Sequence, residues 1–234
     1  MTMKQLALDI GLATGPTLER FFAGPNEAAL QHLRLWAGEG SQPDTRSPVP
    51  TYLWGEAGSG KTHLLKAVRQ ALSDQGASVG WLDASVASAA EFDERWAAVV
   101  LDDVHLYSTA QQAMAFNWFV NAISPANGAP RWVLAAGNLP PADLPLRDDL
   151  RSRLGWGHVF QLQLLGEAER RAVLRQEADA RGVFLGDEVM DYMLNRFSRD
   201  LGSLMQLLDM LDEFALRNKR AITIPLLKTM LETM

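Results

Sequence analysis

The 234-residue chain contains no cysteine, which excludes disulfide bonds and metal sites built from thiolates. It has no apolar run of about 18 residues, the length that a membrane-spanning helix requires. Its first residues, Met1 to Gln5, do not form the long apolar core of a signal peptide. We therefore expect a soluble, cytoplasmic protein with no membrane partner.

Histidine is also scarce, because only four are present and none pairs at the spacing of metal ligands. The sequence shows no Ser-His-Asp pattern and no paired carboxylates typical of hydrolases. The formal net charge is −6, and contacts with nucleic-acid phosphates need clusters of lysine and arginine. The composition thus disfavours nucleic acid as the main direct partner, although local basic patches stay open.

Against these absences, one motif is complete. Residues Gly55 to Thr62 read GEAGSGKT, which has the spacing of a phosphate-binding loop. An apolar, strand-like run precedes it and a helix-like run begins at Lys61, as such a loop requires. Glycines let the backbone aim N–H groups at phosphate oxygens, and the helix N-terminus adds partial positive charge. The sequence therefore predicts a site for a nucleotide polyphosphate.

Within this site we expect Lys61 to reach the outer phosphates and the Thr62 hydroxyl to contact Mg²⁺. The predicted nucleotide contacts of the loop and the start of its helix are Gly55, Gly58, Ser59, Gly60, Lys61, Thr62 and His63.

Polar residues also follow two other strand-like runs. Asp102 ends an apolar run and can support the Mg²⁺, while Asp103 can polarise an attacking water. Asn138 follows Trp132 to Ala136 and would face the γ-phosphate if that strand lies beside the Asp102 strand. Asp102 and Asp103 could instead only start a turn, but their place about 40 residues after the phosphate loop favours the functional role, whereas Asn138 can equally be an ordinary turn residue.

Two arginines have a similar ambiguity. Arg153 lies near the end of a helix-like run, where it can be a solvated cation that favours the helix dipole or an arginine finger for a neighbour's nucleotide. Arg199 can be a surface cation or can reach back to bound phosphates. The pattern by itself favours the surface role for both.

Along the chain, strand-like and helix-like runs alternate up to Leu165, and only helix-like runs follow. Alternation of this kind predicts an α/β domain with a parallel sheet between two layers of helices, followed by a small all-helical domain. We expect a flexible tail over residues 1–15, the α/β domain over 16–165 and the helical domain over 166–234. The expected strands are Tyr52–Trp54, Val79–Asp83, Ala97–Asp102, Trp132–Ala136 and Val159–Leu164. A weaker helix-like run is Leu144–Leu154.

The motifs together resemble the P-loop AAA+ domain of the bacterial replication initiator DnaA, from about residue 16 to the end. In that family the opening segment lies against the adenine, and Pro16–Phe21 and Gly24–Asn26 look like it. The matching stretches are GEAGSGKTHLL (Gly55–Leu65), VVLDDVH (Val99–His105), SRLGWG (Ser152–Gly157) and SRDLGSL (Ser198–Leu204).

Two departures narrow the resemblance. The chain ends at Met234, where DnaA continues into a helix-turn-helix domain, and it begins with a short tail. That tail resembles the peptide with which many bacterial proteins bind the sliding clamp, through Gln5, Leu6, Leu8 and Ile10. Many clamp peptides end in an aromatic or a Pro-Leu pair, so Asp9-Ile10 predicts weaker binding. Within the DnaA-related family the chain is most similar to the Hda group, the regulatory inactivators of DnaA.

The resemblance implies a negative regulator of replication initiation that binds ADP or ATP with Mg²⁺. Such a protein docks on the sliding clamp, the β subunit of DNA polymerase III, and stimulates hydrolysis of the ATP held by DnaA. DNA is then reached only through the clamp. The resemblance assigns Asp102 to Mg²⁺, Asn138 and Arg199 to the first and second sensors, and Arg153 to the finger offered to DnaA. ATP turnover by the chain alone and self-association stay open.

Two other functions compete. A stand-alone AAA+ ATPase or helicase loader acting on DNA is permitted by Lys61, Asp102 and Asp103, although the acidic net charge disfavours it. A small-molecule kinase could use the same loop, but no acceptor-binding motif is visible and the helical C-terminal part suits an AAA+ lid better.

Overall fold

The computed structural model describes residues 15–37, 49–86, 91–197 and 201–233. A five-stranded sheet forms the centre of the α/β part, in the order β2-β3-β4-β1-β5, and all neighbouring strands are parallel. The predicted parallel sheet is therefore confirmed. The strands are β1 (Thr51–Trp54), β2 (Ser78–Leu82), β3 (Trp96–Leu101), β4 (Trp132–Gly137) and β5 (His158–Gln161).

Helices cover both faces of this sheet. Helices α1 and α2 pack on one face with Leu53, Val100 and Leu134, whereas α3 and α4 pack on the other with Tyr52 and Val99. Adjacent strand residues enter opposite cores because successive side chains of a strand point to opposite faces. The four helices are α1 (Glu27–Ala37), α2 (Lys61–Asp74), α3 (Thr109–Ile123) and α4 (Asp148–Leu154).

The chain then continues as helices around a separate apolar core. Leu174, Met190, Leu208 and Leu227, one from each helix, are completely buried in it. The predicted all-helical C-terminal part is confirmed. Its helices are α5 (Glu167–Ala180), α6 (Asp187–Arg196), α7 (Leu201–Asn218) and α8 (Ile224–Glu232). Throughout the described ranges, every helix is too short or too polar to cross a bilayer.

Two predicted boundaries were wrong by more than one residue. A helix was expected from Leu144 to Leu154, but α4 begins only at Asp148 and Leu144 is extended. The cause is Pro145, because a proline disfavours helical backbone in the residue before it. Strand β5 was expected to reach Leu164, but it ends at Gln161.

Beyond β5, the side chain of Asn26 forms the backbone hydrogen bonds that a neighbouring strand would otherwise form. The Asn26 side chain donates a hydrogen bond to the Gln163 carbonyl at 3.0 Å and accepts one from its N–H at 2.8 Å. This exchange satisfies the backbone of Gln163 without a strand. It also fixes the segment before α1 against the chain that leaves the sheet, at the same end of the sheet as the phosphate loop.

Candidate nucleotide site

The predicted phosphate loop connects β1 to α2, and three of its glycines, Gly55, Gly58 and Gly60, have positive φ. Gly60 has φ +94°, in the left-handed region that favours glycine. Gly55 has φ +155°, and a Cβ there would lie 2.2 Å from the Leu162 carbonyl oxygen. Because Gly60 precedes α2 and has no side chain, the first N–H groups of the helix have no side-chain cap and can face an anion.

Lys61 folds back into this loop and is only 5% exposed. Its Nζ donates hydrogen bonds to the carbonyl oxygens of Gly55 and Glu56, each at 2.8 Å. Burial lowers the pKa of Lys61, while the carboxylates of Asp103 and Asp102 raise it. These two carbonyl acceptors are neutral. An anion bound in the loop would therefore give the Lys61 ammonium a charged partner that the carbonyls do not provide.

Asp102 lies immediately after β3 and is 3% exposed. Burial raises the pKa of its carboxyl group, whereas a hydrogen bond from the Thr62 side chain lowers it. The structure thus joins the two side chains that were predicted to hold Mg²⁺. A divalent cation beside them would favour the charged carboxylate that burial disfavours. Among the described residues, no cluster of three or more acidic or histidine side chains suggests a separate metal site.

Asp103 turns the chain sharply away from β3. Its φ is +49°, and its N–H donates to Asp102 Oδ1 at 3.0 Å. A left-handed conformation is uncommon for any residue except glycine but is tolerated best by asparagine and aspartate. Asp103 precedes the 3-10 turn Val104–Leu106 and lines the same cavity as Lys61.

Asn138 follows β4, which lies between β1 and β3 in the sheet. The condition under which it was predicted to face the phosphates is therefore met, and its side chain lines the cavity. Tyr52 fixes the next residue, because its hydroxyl donates to the Leu139 carbonyl at 2.7 Å. The loop, Asp103 and Asn138 meet at the carboxyl ends of three adjacent strands, and their individual roles stay predictions.

These residues form one wall of a cavity of about 810 Å³. The segment before α1 forms a second wall, and the C-terminal helices form a third. From the segment before α1 come Pro16, Phe21 and Phe22, and from the C-terminal helices Val173, Met205 and Gln206.

Phe21 and His63 close one side of the cavity next to the loop. Their rings are 5.7 Å apart, and a Cβ on Gly60 would lie 2.7 Å from Phe21 Cε2. Burial lowers the pKa of His63, while hydrogen bonding to the Thr17 backbone and the nearby Glu177 raise it. His63, a predicted nucleotide contact, thus links the loop helix to the segment before α1 and faces the C-terminal helices.

His105 is a cavity residue that the sequence patterns did not single out. It lies in the turn after Asp103 and lines the cavity together with Asn138. Its place three residues after Asp102 was the available signal, because side chains beyond the carboxyl end of a strand commonly face a ligand in open α/β sheets.

Arg153 has a different location. It lies in the last turn of α4 and does not belong to the described residues that line the cavity. Its Nη1 donates to the Asp149 carbonyl at 2.9 Å, and its Cζ lies 4.7 Å from the centre of the Phe116 ring. A finger that serves another protein's nucleotide must lie outside its own cavity, and Arg153 meets that condition.

The remaining predicted site residues cannot be placed. Arg199 and the tail residues Gln5, Leu6, Leu8 and Ile10 lie outside the residues that the structure describes.

The contact between Gly60 and Phe21 generates a stability prediction. Gly60→Ala should lower the free energy of unfolding by about 2–4 kcal/mol, because it combines a strained φ with a clash. Gly76→Ala is the matched control, since Gly76 has φ +78° but open space around its Cβ position. It should cost only about 1 kcal/mol. Chemical denaturation of both variants measures the difference.

The double variant Phe21→Ala/Gly60→Ala completes the test. Removing the Phe21 ring should restore part of the stability that Gly60→Ala loses. The free energy of unfolding lost by the double variant should therefore be smaller than the sum of the two single losses. Equal costs for Gly60→Ala and Gly76→Ala would contradict a close contact between Phe21 and the loop.

Comparison with known proteins agrees with this architecture. The family model of the Hda lid domain matches residues 167–231. A protein of Haemophilus influenzae, described as uncharacterized, is 33% identical over 237 residues, which is 97% of this chain and 98% of that protein.

Solved structures show the same fold. Domain III of the Thermotoga maritima replication initiation protein DnaA has a TM-score of 0.73 and 19% identity, covering 93% of this chain and 95% of that chain. AMPPCP-bound DnaA from Aquifex aeolicus has a TM-score of 0.66 and 22% identity, covering 84% and 65%. The Thermotoga maritima RuvB Holliday junction branch migration motor has a TM-score of 0.66 and 16% identity, covering 93% and 72%.

The sheet, the phosphate loop and the C-terminal helices thus agree with the sequence relationships. The chain therefore belongs to the same family as the Haemophilus influenzae protein, its fold is that of DnaA domain III, and residues 167–231 match the Hda lid domain.

Proposed function

We propose that this protein is a nucleotide-gated negative regulator of replication initiation that acts on DnaA. One observation carries the proposal: the loop and the lid enclose a single cavity, while Arg153 lies outside it on α4. This arrangement suits a protein that holds one nucleotide for itself and presents a cation to the nucleotide of a partner. The Hda-type lid supports DnaA as that partner.

The cavity suits an adenine nucleotide in size and in chemistry. Its volume of about 810 Å³ lies within the usual range of ligand sites. At one end, Lys61 and the uncapped amides of α2 would bind phosphates, and Thr62 with Asp102 would hold Mg²⁺. At the other end, Phe21 and Phe22 offer apolar surface for a base. The Aquifex aeolicus DnaA of the same fold was solved with AMPPCP bound.

We assign ADP as the nucleotide of the regulatory state. It would touch both the α/β part and the lid, so the nucleotide would set the angle between them. Arg199 would be the lid's contact with the phosphates, and Asn138 the contact from the sheet. Asp103 would polarise water if a triphosphate is bound. Because the phosphate-binding residues come from several elements, loss of the nucleotide should loosen the whole arrangement that positions α4.

Arg153 would then act on the ATP of DnaA. A guanidinium placed on a transferring phosphoryl group stabilises its developing charge and accelerates hydrolysis by about 10³–10⁵-fold. The ring of Phe116 supports Arg153 from one side, which restricts the rotamers that the side chain can adopt. Trp156, three residues later, is 65% exposed and adds apolar surface next to the finger. Exposed aromatic and arginine side chains are frequent centres of protein interfaces.

The tail would bring the regulator to replicating DNA. An extended peptide loses conformational entropy when it binds, and apolar pockets for Leu6, Leu8 and Ile10 would offset that loss. Gln5 would add directional amide hydrogen bonds. We therefore propose the β sliding clamp of DNA polymerase III as a second partner in the cytoplasm, with DNA contacted only through the clamp.

The finger is tested by Arg153→Ala in an assay of phosphate release from DnaA-bound ATP. The variant should lose the stimulation almost entirely, by about 10³-fold or more, because the transition state loses its external cation. Its affinity for ADP should change by less than about twofold, since Arg153 lies outside the cavity. Arg151→Ala is the matched control, because Arg151 shares α4 but pairs with Asp148 at 2.6 Å.

Normal stimulation by the Arg153 variant would show that the finger assignment is wrong. The same assay without DnaA separates the competing function. Strong ATP turnover by the pure chain, increased by single-stranded DNA, would favour a stand-alone motor or helicase loader over a regulator.

The clamp is tested by a pull-down of the full chain and of a variant that lacks residues 1–11. Deletion should abolish retention of the clamp, and Gln5→Ala should weaken it. Lys4→Ala serves as a control in the same tail. Retention of the clamp by the deletion variant would remove this link to replication without affecting the nucleotide site.

A further inference from the structure

His105 occupies a fixed position that the proposed function does not use. It is the middle residue of the 3-10 turn Val104–Leu106, which follows Asp103. Its neighbours anchor the turn in the core, because Val104 is completely buried and Tyr107 donates a hydrogen bond from its hydroxyl to the Leu82 carbonyl at 2.8 Å. The side chain of His105 lies on the cavity side of this anchored turn.

The polar end of the cavity surrounds this imidazole. His105 lines it with Asp103 and Asn138, over the carboxyl ends of β3 and β4. The charges of Asp103 and Lys61 both reach it, since the former raises its pKa and the latter lowers it. His105 therefore lies near the lysine of the phosphate loop. It belongs to the polar part of the cavity and not to the apolar surface formed by Phe21 and Phe22.

The hydrogen bonding of His105 leaves capacity for a ligand. Its Nδ1 is buried, so Nε2 is the ring nitrogen that can face a ligand in the cavity. Burial is the main influence on its pKa and lowers it, which favours the neutral ring with one N–H donor. A phosphate oxygen is a strong acceptor for an imidazole N–H that faces the cavity.

The position along the nucleotide follows from the other contacts. The amides at the start of α2 would hold the inner phosphates, and the base would lie toward Phe21. A third phosphate would then extend beyond the loop, toward the end where Lys61, Asn138 and His105 meet. We propose that His105 donates a hydrogen bond to the terminal phosphate of a nucleoside triphosphate and thereby determines how well the site distinguishes triphosphate from diphosphate. This inference rests on the proposed nucleotide site.

Equilibrium titration of the full chain with Mg-AMPPCP and with Mg-ADP tests the inference. His105→Ala should weaken AMPPCP about tenfold and ADP less than about twofold, because only AMPPCP carries the terminal phosphate. His105→Gln should keep AMPPCP within about threefold of the wild type, since its amide also donates N–H. His158→Gln, on the exposed edge of β5, is the control and should change neither affinity.

Circular dichroism and the unfolding midpoint establish that each variant is folded, and the glutamine variant keeps the test valid if alanine is not tolerated. Equal weakening of both nucleotides, or no change in either, would overturn the role of His105. A wild-type chain that binds ADP but not AMPPCP would also overturn it, while leaving the proposed function intact. Undiminished binding of both nucleotides by Lys61→Ala would instead contradict the nucleotide site itself.

Discussion

The position of β4 between β1 and β3 is the constraint on which the site depends. Parallel strands bring their carboxyl ends to the same edge of the sheet, so residues that are far apart in the chain meet there. Lys61 follows β1, Asp102 and Asp103 follow β3, and Asn138 follows β4. This order places Asn138 between the acidic residues and the phosphate loop, while the Thr62 side chain still forms a hydrogen bond with Asp102.

Local chemistry explains why part of this arrangement was predictable. The phosphate loop needs glycine for its backbone and a lysine for charge. The residues that identify it are therefore consecutive in the sequence. Apolar runs that end in Asp102 or Asn138 likewise mark the ends of buried strands. The strand order itself was not predicted. The expectation for Asn138 depended on β4 lying beside β3, and the structure meets that condition.

Other features depend on contacts between distant segments, and the sequence could not reveal them. Asn26 pairs with Gln163 just beyond the end of β5, although the two residues are 137 positions apart. Phe21 packs over Gly60, although no sequence pattern connects these two residues. His105 ends the VVLDDVH stretch but was given no role, and only the fold places it in the cavity. The start of α4, in contrast, could have been predicted from the sequence. Pro145 is a local signal that disfavours helical backbone at Leu144 and should have shortened the predicted helix.

The lid and the loop give the cavity a physical means of regulation. A ligand that contacts two packed units stabilises the arrangement in which both contacts are made, in proportion to its differential affinity for that arrangement. Arg153 lies on α4, which packs on the sheet through Leu150 and Leu154 and on α3 through the Phe116 contact. Under the proposed function, a nucleotide would influence Arg153 through the sheet and its helices, because Arg153 is not among the described residues that line the cavity.

The most direct measurement is the number of adenine nucleotides that each chain binds at equilibrium, for the wild type and for Lys61→Ala. One ADP per wild-type chain is expected, and at least about a hundredfold weaker binding by a folded Lys61→Ala variant, because the buried ammonium is the main cation at the phosphates. A wild-type chain that binds no adenine nucleotide, or a lysine variant that binds it as tightly, would contradict the central role of the loop.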